Sequence, residues 1–250
     1  MSDRPVDDPT HERRSPAATL AADLAADRSL EGISSEVIAC RACPRLVAWR
    51  ESVAADPPRR FAGQAYWARP VPGFGDPAAR IVIVGLAPAA NGGNRTGRVF
   101  TGDRSGDFLF ASMHRAGLAS QPISQAAGDG LRLVDAYLCA TVRCAPPDNK
   151  PLPEERDRCL PYLVRELHLL GNARVFVALG RYGWDSIVLA LGALGETVRP
   201  RPAFGHGAEA RVGRHVLLGT YHPSQQNTFT GRLTADMLDR VFARAVELAG

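Results

Sequence analysis

The chain has 250 residues, a hydrophobic fraction of 45% and a formal net charge of +4. This length suits one α/β domain with or without a tail, and the apolar content is enough for a buried core. No apolar run approaches the roughly 18 residues of a membrane span, and the start of the chain lacks the layout of a signal peptide. We therefore expect a cytoplasmic protein with no membrane partner, whose mildly basic charge is compatible with an anionic partner such as nucleic acid.

The first part of the chain is predicted to be a tail followed by two helices. Residues 1–18 are charged, contain proline and show no hydrophobic period, so we expect them to be disordered. Residues 19–250 are assigned to a single domain. An alanine- and leucine-rich pattern predicts a helix from Ala17 to about Val37, and a shorter helix is expected around Trp49. The segment from Phe61 to Pro77 combines Pro, Gly and aromatic residues, which is typical of a long binding or mobile loop.

Strands then alternate with helices. The β-branched run Ile81-Val82-Ile83-Val84 is typical of a strand that is buried on both faces of a parallel sheet. The alternation predicts a parallel sheet with helices on both faces. The further strands are expected at Leu133–Val142, Arg174–Leu179 and His215–Thr220. One helix is expected to begin near Asp107, and the others to span Pro153 to about Leu170, Tyr182–Leu194 and Leu233–Leu248.

The loop after the first strand is the default place to look for chemistry, because open α/β sheets bind ligands at the carboxyl ends of their strands. It breaks at Gly85 and is rich in Gly, Asn and Ala. No Gly-Lys-Ser/Thr follows the strand and the loop does not have the G-x-G-x-x-G spacing, so a nucleotide cofactor is not favoured. Asp103, near the end of the loop, has two open interpretations. It is a helix N-cap, or it is a carboxylate that orients water or stabilises positive charge at the ligand edge.

A second candidate loop follows the last strand. His222 lies at the strand's carboxyl end and precedes Pro223, which should hold it in an extended loop. The polar residues that follow, Ser224 to Asn227, are able to donate to phosphates or to wedge into a base stack. The alternative is an ordinary polar surface turn.

The five cysteines are an odd number in a chain without an export signal, which favours metal binding or chemistry over disulfides. Cys40 and Cys43 form a tight pair, and Cys144 and Cys159 lie far downstream. Four thiolates suit zinc or an iron–sulfur cluster, and the loose spacing of the second pair favours the cluster. Cys139 is expected to be a plain buried thiol. The alternative is that all five are unligated thiols.

Five short motifs follow one another along the chain: Gly85-Leu86-Ala87-Pro88-Ala89, Asn94-Arg95-Thr96-Gly97, Phe100-Thr101-Gly102-Asp103, Arg143-Cys144-Ala145-Pro146-Pro147 and Tyr221-His222-Pro223-Ser224. Each motif is modest alone, whereas their order and spacing, together with the four cysteines, are highly specific. In this combination the chain resembles the uracil-DNA glycosylase superfamily, most closely its family 5, the UDGb type.

The resemblance implies a fold, a cofactor and an activity. The fold is a three-layer α/β/α sandwich around a four-stranded, mainly parallel sheet, so that residues 19–250 form one glycosylase domain. The cofactor is a structural [4Fe-4S] cluster held by Cys40, Cys43, Cys144 and Cys159. The activity is monofunctional hydrolysis of the N-glycosidic bond of a damaged base, which leaves an abasic site. The expected partner is damaged DNA, double-stranded and also single-stranded, and the protein is expected to be a monomer.

The resemblance also assigns roles, with departures that bear on specificity. Relatives of other families carry an acidic residue where this chain has Leu86 or Ala87, so the acid of the site is expected to be Asp103. Uracil-specific relatives read the base edge with an Asn where this chain has Ala140, which predicts activity on uracil and also on hypoxanthine or ethenocytosine. His222 is expected to stabilise the departing base, and Asn149 to contact the base or the water. The residues expected to contact the base are Gly85, Leu86, Ala87, Phe100 and Ala140. Those expected to contact the DNA are Asn94, Arg95, Ser224, Gln226 and Asn227.

The alternative from another class is a non-catalytic, metal-bound nucleic-acid-binding protein. Such a protein would keep the cysteines and the sheet, but it would not need Asp103 and His222 together. A nucleotide-dependent α/β enzyme is a second alternative.

Overall fold

The computed structural model describes residues 22–25, 27 and 29–250. The tail predicted at residues 1–18 lies outside these residues, as does part of the first predicted helix. The single helix predicted from Ala17 to about Val37 is not continuous: residues 22–25 are helical, residues 27 and 29 are not, and helix α1 spans Leu30–Ala39. Ser29 is the N-cap that starts α1, since its side chain accepts from the backbone N–H of Gly32. The shorter helix expected around Trp49 is α2, Pro44–Ala55. None of the described helices is both long enough and apolar enough to cross a membrane.

The centre of the molecule is one six-stranded sheet. Its strands are β1 (Phe74–Gly75), β2 (Ile81–Gly85), β3 (Ala136–Ala140), β4 (Val175–Leu179), β5 (Glu209–Val212) and β6 (His215–Thr220), in the spatial order β1-β3-β2-β4-β6-β5. The four inner strands run parallel, as expected. The outer strands β1 and β5 pair antiparallel with their neighbours and raise the strand count from the expected four to six.

The remaining helices follow the predicted alternation. After β2 come the short helix α3 (Gly93–Thr96) and α4 (Arg104–Arg115), and β3 is followed by α5 (Pro153–Leu169). After β4 comes α6 (Arg181–Ala193), and β6 is followed by α7 (Gln225–Phe229) and α8 (Ala235–Ala249). Single-turn 3-10 helices cover Arg59–Phe61 and Pro147–Asn149.

Two apolar layers cover the two faces of the sheet. Side chains from α4 and α8, such as Phe110 and Phe242, pack with Ile81 and Ile83 on one face. Side chains from α1, α5 and α6, such as Trp184, pack with Val82 on the other face. Successive residues of β2 therefore point into different layers, and this explains why the strand is apolar throughout. The α/β/α sandwich class is confirmed.

Candidate active site and cysteine cluster

The loops that leave the carboxyl ends of the parallel strands enclose a cavity of about 600 Å³. The loop after β2 contributes Asp103, the loop after β3 contributes Asn149, and the segment after β6 contributes Gln225. The cavity therefore lies at the edge where an open α/β sheet binds its ligands, and it brings two predicted site residues together.

Asp103 is confirmed as a helix N-cap, and its carboxylate also lies at the ligand edge of the sheet. It is the N-cap of α4, since its Oδ1 accepts from the backbone N–H of Gly106 at 3.0 Å, and it also lines the cavity. Burial raises the pKa of the Asp103 carboxyl, although the N–H groups of Gly106 and Ser105 oppose that shift. The other carboxylate oxygen lies against Gly92 so closely that a Cβ atom there would be 1.9 Å from it. The helix cap and the packing against Gly92 thus fix the position of the Asp103 carboxylate.

Phe100 and His222 contact each other at the same end of the sheet, but neither of them lines the Asp103 cavity. The Phe100 ring rests on Gly85, where an added Cβ would be 2.7 Å from the ring, and only 7% of Phe100 is exposed. The His222 ring lies 5.7 Å from the Phe100 ring, centroid to centroid, with 35° between their planes. His222 also lines a second cavity, of about 430 Å³, at the carboxyl ends of β4 and β6. Burial lowers the pKa of His222 to about 4, so its imidazole is neutral near pH 7.

The polar residues after His222 are largely occupied within their own loop. Ser224 caps α7 by accepting from the backbone N–H of Asn227 at 3.4 Å. The side-chain amide of Asn227 donates to the carbonyl oxygen of His222 at 2.9 Å. Asn227 thus helps to hold His222 in place, and Gln226 is exposed.

The two predicted DNA contacts before Phe100 also have internal partners. Asn94 has 0% exposure, and its amide donates to the carbonyl oxygen of Arg50 at 3.1 Å. Arg95 donates to the carbonyl oxygens of Asn91 and Gly102, each at 2.9 Å. Both side chains therefore brace the loop that carries Asp103.

The remaining predicted base contacts form the floor of this edge. Gly85 and Ala140 are register partners at the ends of β2 and β3. Ala140 is buried and offers no polar side chain, and Leu86 lies half-buried at the start of the loop. Ala87 packs against the cysteines described below. Ala140 therefore supplies no side chain that could read a base edge by hydrogen bonding.

Sequence reasoning missed three features of the site. Arg98 is buried and donates to Thr101, Ser124 and Asp129, which fixes the turn between Phe100 and Asp103. Gly92 leaves the space that the Asp103 carboxylate fills. A second carboxylate, Asp107, lines the cavity one turn further along α4, and this neighbour was detectable from the i, i+4 spacing.

Four cysteines line one small pocket on the flank of the sheet: Cys40, Cys43, Cys144 and Cys159. They come from the end of α1, the start of α2, the loop after β3 and helix α5. Cys139, in contrast, is fully buried within β3, as expected. No three His, Cys, Asp or Glu side chains among the described residues converge closely enough to hold a single metal ion.

The surroundings of this pocket are rich in hydrogen-bond donors. Arg50 Nη1 donates to the Sγ of Cys144 at 2.9 Å. The Nε atoms of Arg50 and Arg143 are buried and have no partner among the described residues. Burial raises the pKa of Cys144 to about 12 and that of Cys159 to about 11. As free thiols these groups would stay neutral, so only a strongly bound cationic centre would hold them as thiolates.

Comparison with known proteins agrees with this architecture. Residues 72–245 match the family model of the uracil DNA glycosylase superfamily. The type-5 uracil-DNA glycosylase of Mycobacterium tuberculosis is 54% identical over 220 residues, covering 87% of this chain and 81% of the relative. The type-5 uracil-DNA glycosylase of Thermus thermophilus is 54% identical over 222 residues, covering 88% of this chain and 98% of the relative. The type-5 uracil-DNA glycosylase of Pyrobaculum aerophilum is 42% identical over 216 residues, covering 86% of this chain and 92% of the relative.

Proposed function

The chain belongs to the uracil DNA glycosylase superfamily, in its type-5 branch, and from this we propose that it is a monofunctional DNA-repair glycosylase. It hydrolyses the N-glycosidic bond of uracil and of other deaminated or modified bases, such as hypoxanthine and ethenocytosine, and leaves an abasic site. It acts as a monomer in the cytoplasm, on double-stranded and also single-stranded DNA.

The observation that carries this proposal is the position of Asp103. Its carboxylate lines a cavity at the ligand edge, and both of its oxygens are fixed by neighbouring backbone, through Gly106 and Gly92. A group held this rigidly is preorganised, and preorganised charge is the largest single contribution to many enzymatic rates.

The target base is out of reach in a stacked duplex, so it must be flipped out. We assign the aromatic wall of the base pocket to Phe100 and its floor to Gly85, Leu86 and Ala140. Stacking on an aromatic ring contributes about 1–3 kcal/mol and accepts any base. A polar side chain rejects a wrong base because that base leaves it without a hydrogen-bond partner, and Ala140 has no such side chain. The proposed pocket is therefore broad in specificity.

The chemistry develops positive charge on the sugar and negative charge on the leaving base. Asp103 stabilises the sugar cation and orients the water, which attacks the anomeric carbon and gives up a proton to the Asp103 carboxylate. The bond to the base nitrogen breaks, the electron pair leaves with the base, and the base anion then takes up a proton from solvent. His222 is neutral at pH 7, so one ring N–H donates to the departing base and stabilises charge that grows in the transition state. Asn149, which shares the cavity with Asp103, contacts the base or the water.

We also propose that Cys40, Cys43, Cys144 and Cys159 hold a [4Fe-4S] cluster. The donor set supports this, since four thiolates are the usual ligands of such clusters. The unpartnered Nε atoms of Arg50 and Arg143 would donate to its sulfur atoms. When bound, the cluster would supply a structural cross-link between the N-terminal helices, the loop after β3 and helix α5, and no step of hydrolysis needs it.

Two variants of Asp103 separate catalysis from helix capping. Asn caps helices as well as Asp does, so Asp103→Asn keeps the cap and removes the charge, whereas Asp103→Ala removes both. We expect both variants to lose about 10²- to 10⁴-fold in single-turnover base release, and only Asp103→Ala to lose thermal stability. Release is measured by alkaline cleavage of duplexes that contain one uracil, hypoxanthine or ethenocytosine.

The outcomes of this experiment are distinct. Full activity of Asp103→Asn with reduced stability of Asp103→Ala would reduce Asp103 to a cap. Release of uracil alone by the wild type would contradict the proposed breadth. No release from any duplex that the protein still binds would favour a non-catalytic nucleic-acid-binding protein.

The cluster has its own test, with Cys139 as the matched control. Cys159→Ala should lose the iron and acid-labile sulfide that we expect in the wild-type protein, whereas Cys139→Ala, outside the pocket, should keep them. Both contents are measured on anaerobically purified protein. Wild-type protein without iron and sulfide, or equal contents in the two variants, would refute the ligand set.

A further inference from the structure

An asparagine that the proposed mechanism does not use lines the Asp103 cavity. Asn91 lies in the loop after β2, between Gly85 in the proposed floor of the base pocket and Asp103. It directly precedes Gly92, the residue against which the Asp103 carboxylate packs. Asn91 is therefore next to the group that fixes the proposed catalytic carboxylate.

The side-chain amide of Asn91 is held at one end only. Its Oδ1 accepts a hydrogen bond from the hydroxyl of Tyr66 at 2.8 Å, whereas its Nδ2 has no partner among the described residues. Burial raises the pKa of the Tyr66 hydroxyl, so this group stays protonated and able to donate near pH 7.

The surrounding charge favours the same orientation of the amide. The guanidinium groups of Arg60 and Arg95 lie near enough to the Tyr66 hydroxyl for their charges to oppose the rise in its pKa. Side-chain amide dipoles orient in the field of the protein, so the negative end of the Asn91 amide, Oδ1, is drawn towards these cations. The two N–H donors of Nδ2 are then the polar atoms that Asn91 has left for a ligand in the cavity.

A base pocket without a polar reader would admit normal bases as readily as damaged ones. Cytosine and adenine carry an exocyclic amino group, which is a hydrogen-bond donor. Their deaminated products, uracil and hypoxanthine, carry a carbonyl oxygen, which is an acceptor, at the same position. A side chain that presents only donors separates the two groups, because two donors that face each other both lack an acceptor.

We propose that Asn91, oriented by Tyr66, donates to the carbonyl oxygen that deamination places on the flipped base, O4 of uracil or O6 of hypoxanthine. The inference rests on the proposed function and adds to it the residue that distinguishes deaminated bases from their parents. The same hydrogen bond assists the reaction, because part of the negative charge of the departing uracil resides on O4. Tyr66 is a positioning residue, since it acts through Asn91.

The test compares uracil with pyrimidin-2-one, a base that has hydrogen in place of the O4 atom of uracil, each in the same duplex. Asn91→Ala should lower kcat/KM for base release about 10- to 100-fold on uracil and less than about threefold on pyrimidin-2-one. Retained release of pyrimidin-2-one shows that the variant is folded.

Two further variants complete the design. Tyr66→Phe should cause a smaller loss, about 3- to 10-fold and again on uracil only. In an Asn91→Ala background it should have no further effect, because the two residues act as a unit. Asn172→Ala is the matched control and should leave both activities unchanged, since Asn172 is an exposed asparagine that precedes β4 at the amino ends of the strands.

The outcomes separate this inference from the function on which it rests. Wild-type protein that releases neither base would overturn the proposed glycosylase activity. An active wild type with equal losses for Asn91→Ala on the two bases, or with no loss on uracil, would overturn the reading role alone. A loss confined to uracil, with no further effect of Tyr66→Phe in the Asn91→Ala background, would support it.

Discussion

The space beside Gly92 permits the sharpest quantitative prediction. A Cβ atom at this position would lie 1.9 Å from the Oδ2 atom of Asp103, and nonbonded carbon and oxygen atoms do not approach closer than about 3 Å. In Gly92→Ala the carboxylate must therefore move by more than about 1 Å, against the hydrogen bond from Gly106. Displacements of about 1 Å at a catalytic group cost on the order of 10²-fold in rate.

We expect Gly92→Ala to lower kcat for uracil release by about 10²-fold, with a much smaller change in KM, because the affected group acts in the transition state. The assay is single-turnover base release across a pH series. Since burial raises the pKa of Asp103, the acid limb of the wild-type profile should lie above the ordinary value for Asp. In the variant that limb should shift, because the carboxylate is displaced.

Gly171→Ala is the control, because nothing lies within 4 Å of a Cβ atom at that position. It should leave both the rate and the pH profile unchanged. A Gly92→Ala protein with wild-type kcat and an unshifted acid limb would refute the reasoning, since it would mean that the position of the Asp103 carboxylate is irrelevant to catalysis.

Three further predictions follow from other buried groups. The pKa of His222 falls from 6.5 to about 4 on folding, so its contribution to stability is complete above pH 6.5 and lost as the pH falls towards 4. In urea titrations between pH 6.5 and 4, the free energy of unfolding of the wild-type protein should fall by about 3 kcal/mol more than that of His222→Gln. Ala140→Asn should raise the preference for uracil over ethenocytosine, measured as the ratio of kcat/KM values. Arg143→Met should cost about 3–5 kcal/mol of unfolding free energy, because it leaves Glu166 buried without its ion-pair partner.

The inner strands could be predicted well from sequence. Ile81–Gly85 and His215–Thr220 are apolar on both faces, a pattern that only a doubly covered parallel strand requires. The edge strand Glu209–Val212 alternates in exposure and spans four residues, and Phe74–Gly75 spans two, so neither produces a detectable pattern. The count of six strands therefore had to come from the structure.

For the candidate site, the positions of the loops could be predicted from sequence, but the directions of their side chains could not. Loop position pointed to Asp103, because topology alone brings strand ends together, whereas Asn149 was predicted only from the family resemblance. The direction of a loop side chain is not encoded in its residue type, and Asn94 illustrates this. An asparagine that donates to a phosphate and one that donates to a buried carbonyl have the same signature in sequence, and only the packing of α2 shows that Asn94 faces inward.

That inward direction connects the two halves of the site. The amide of Asn94 donates to the backbone carbonyl of Arg50, and the guanidinium of Arg50 donates to Cys144. Asn94 lies in α3, at the centre of the loop that runs from Gly85 to Asp103. A change at the cysteine pocket that moves Arg50 would thus withdraw the buried support of the loop that carries Asp103. This gives a physical reason for the proposed structural cluster to lie beside the proposed hydrolytic site, whose chemistry needs no electron transfer.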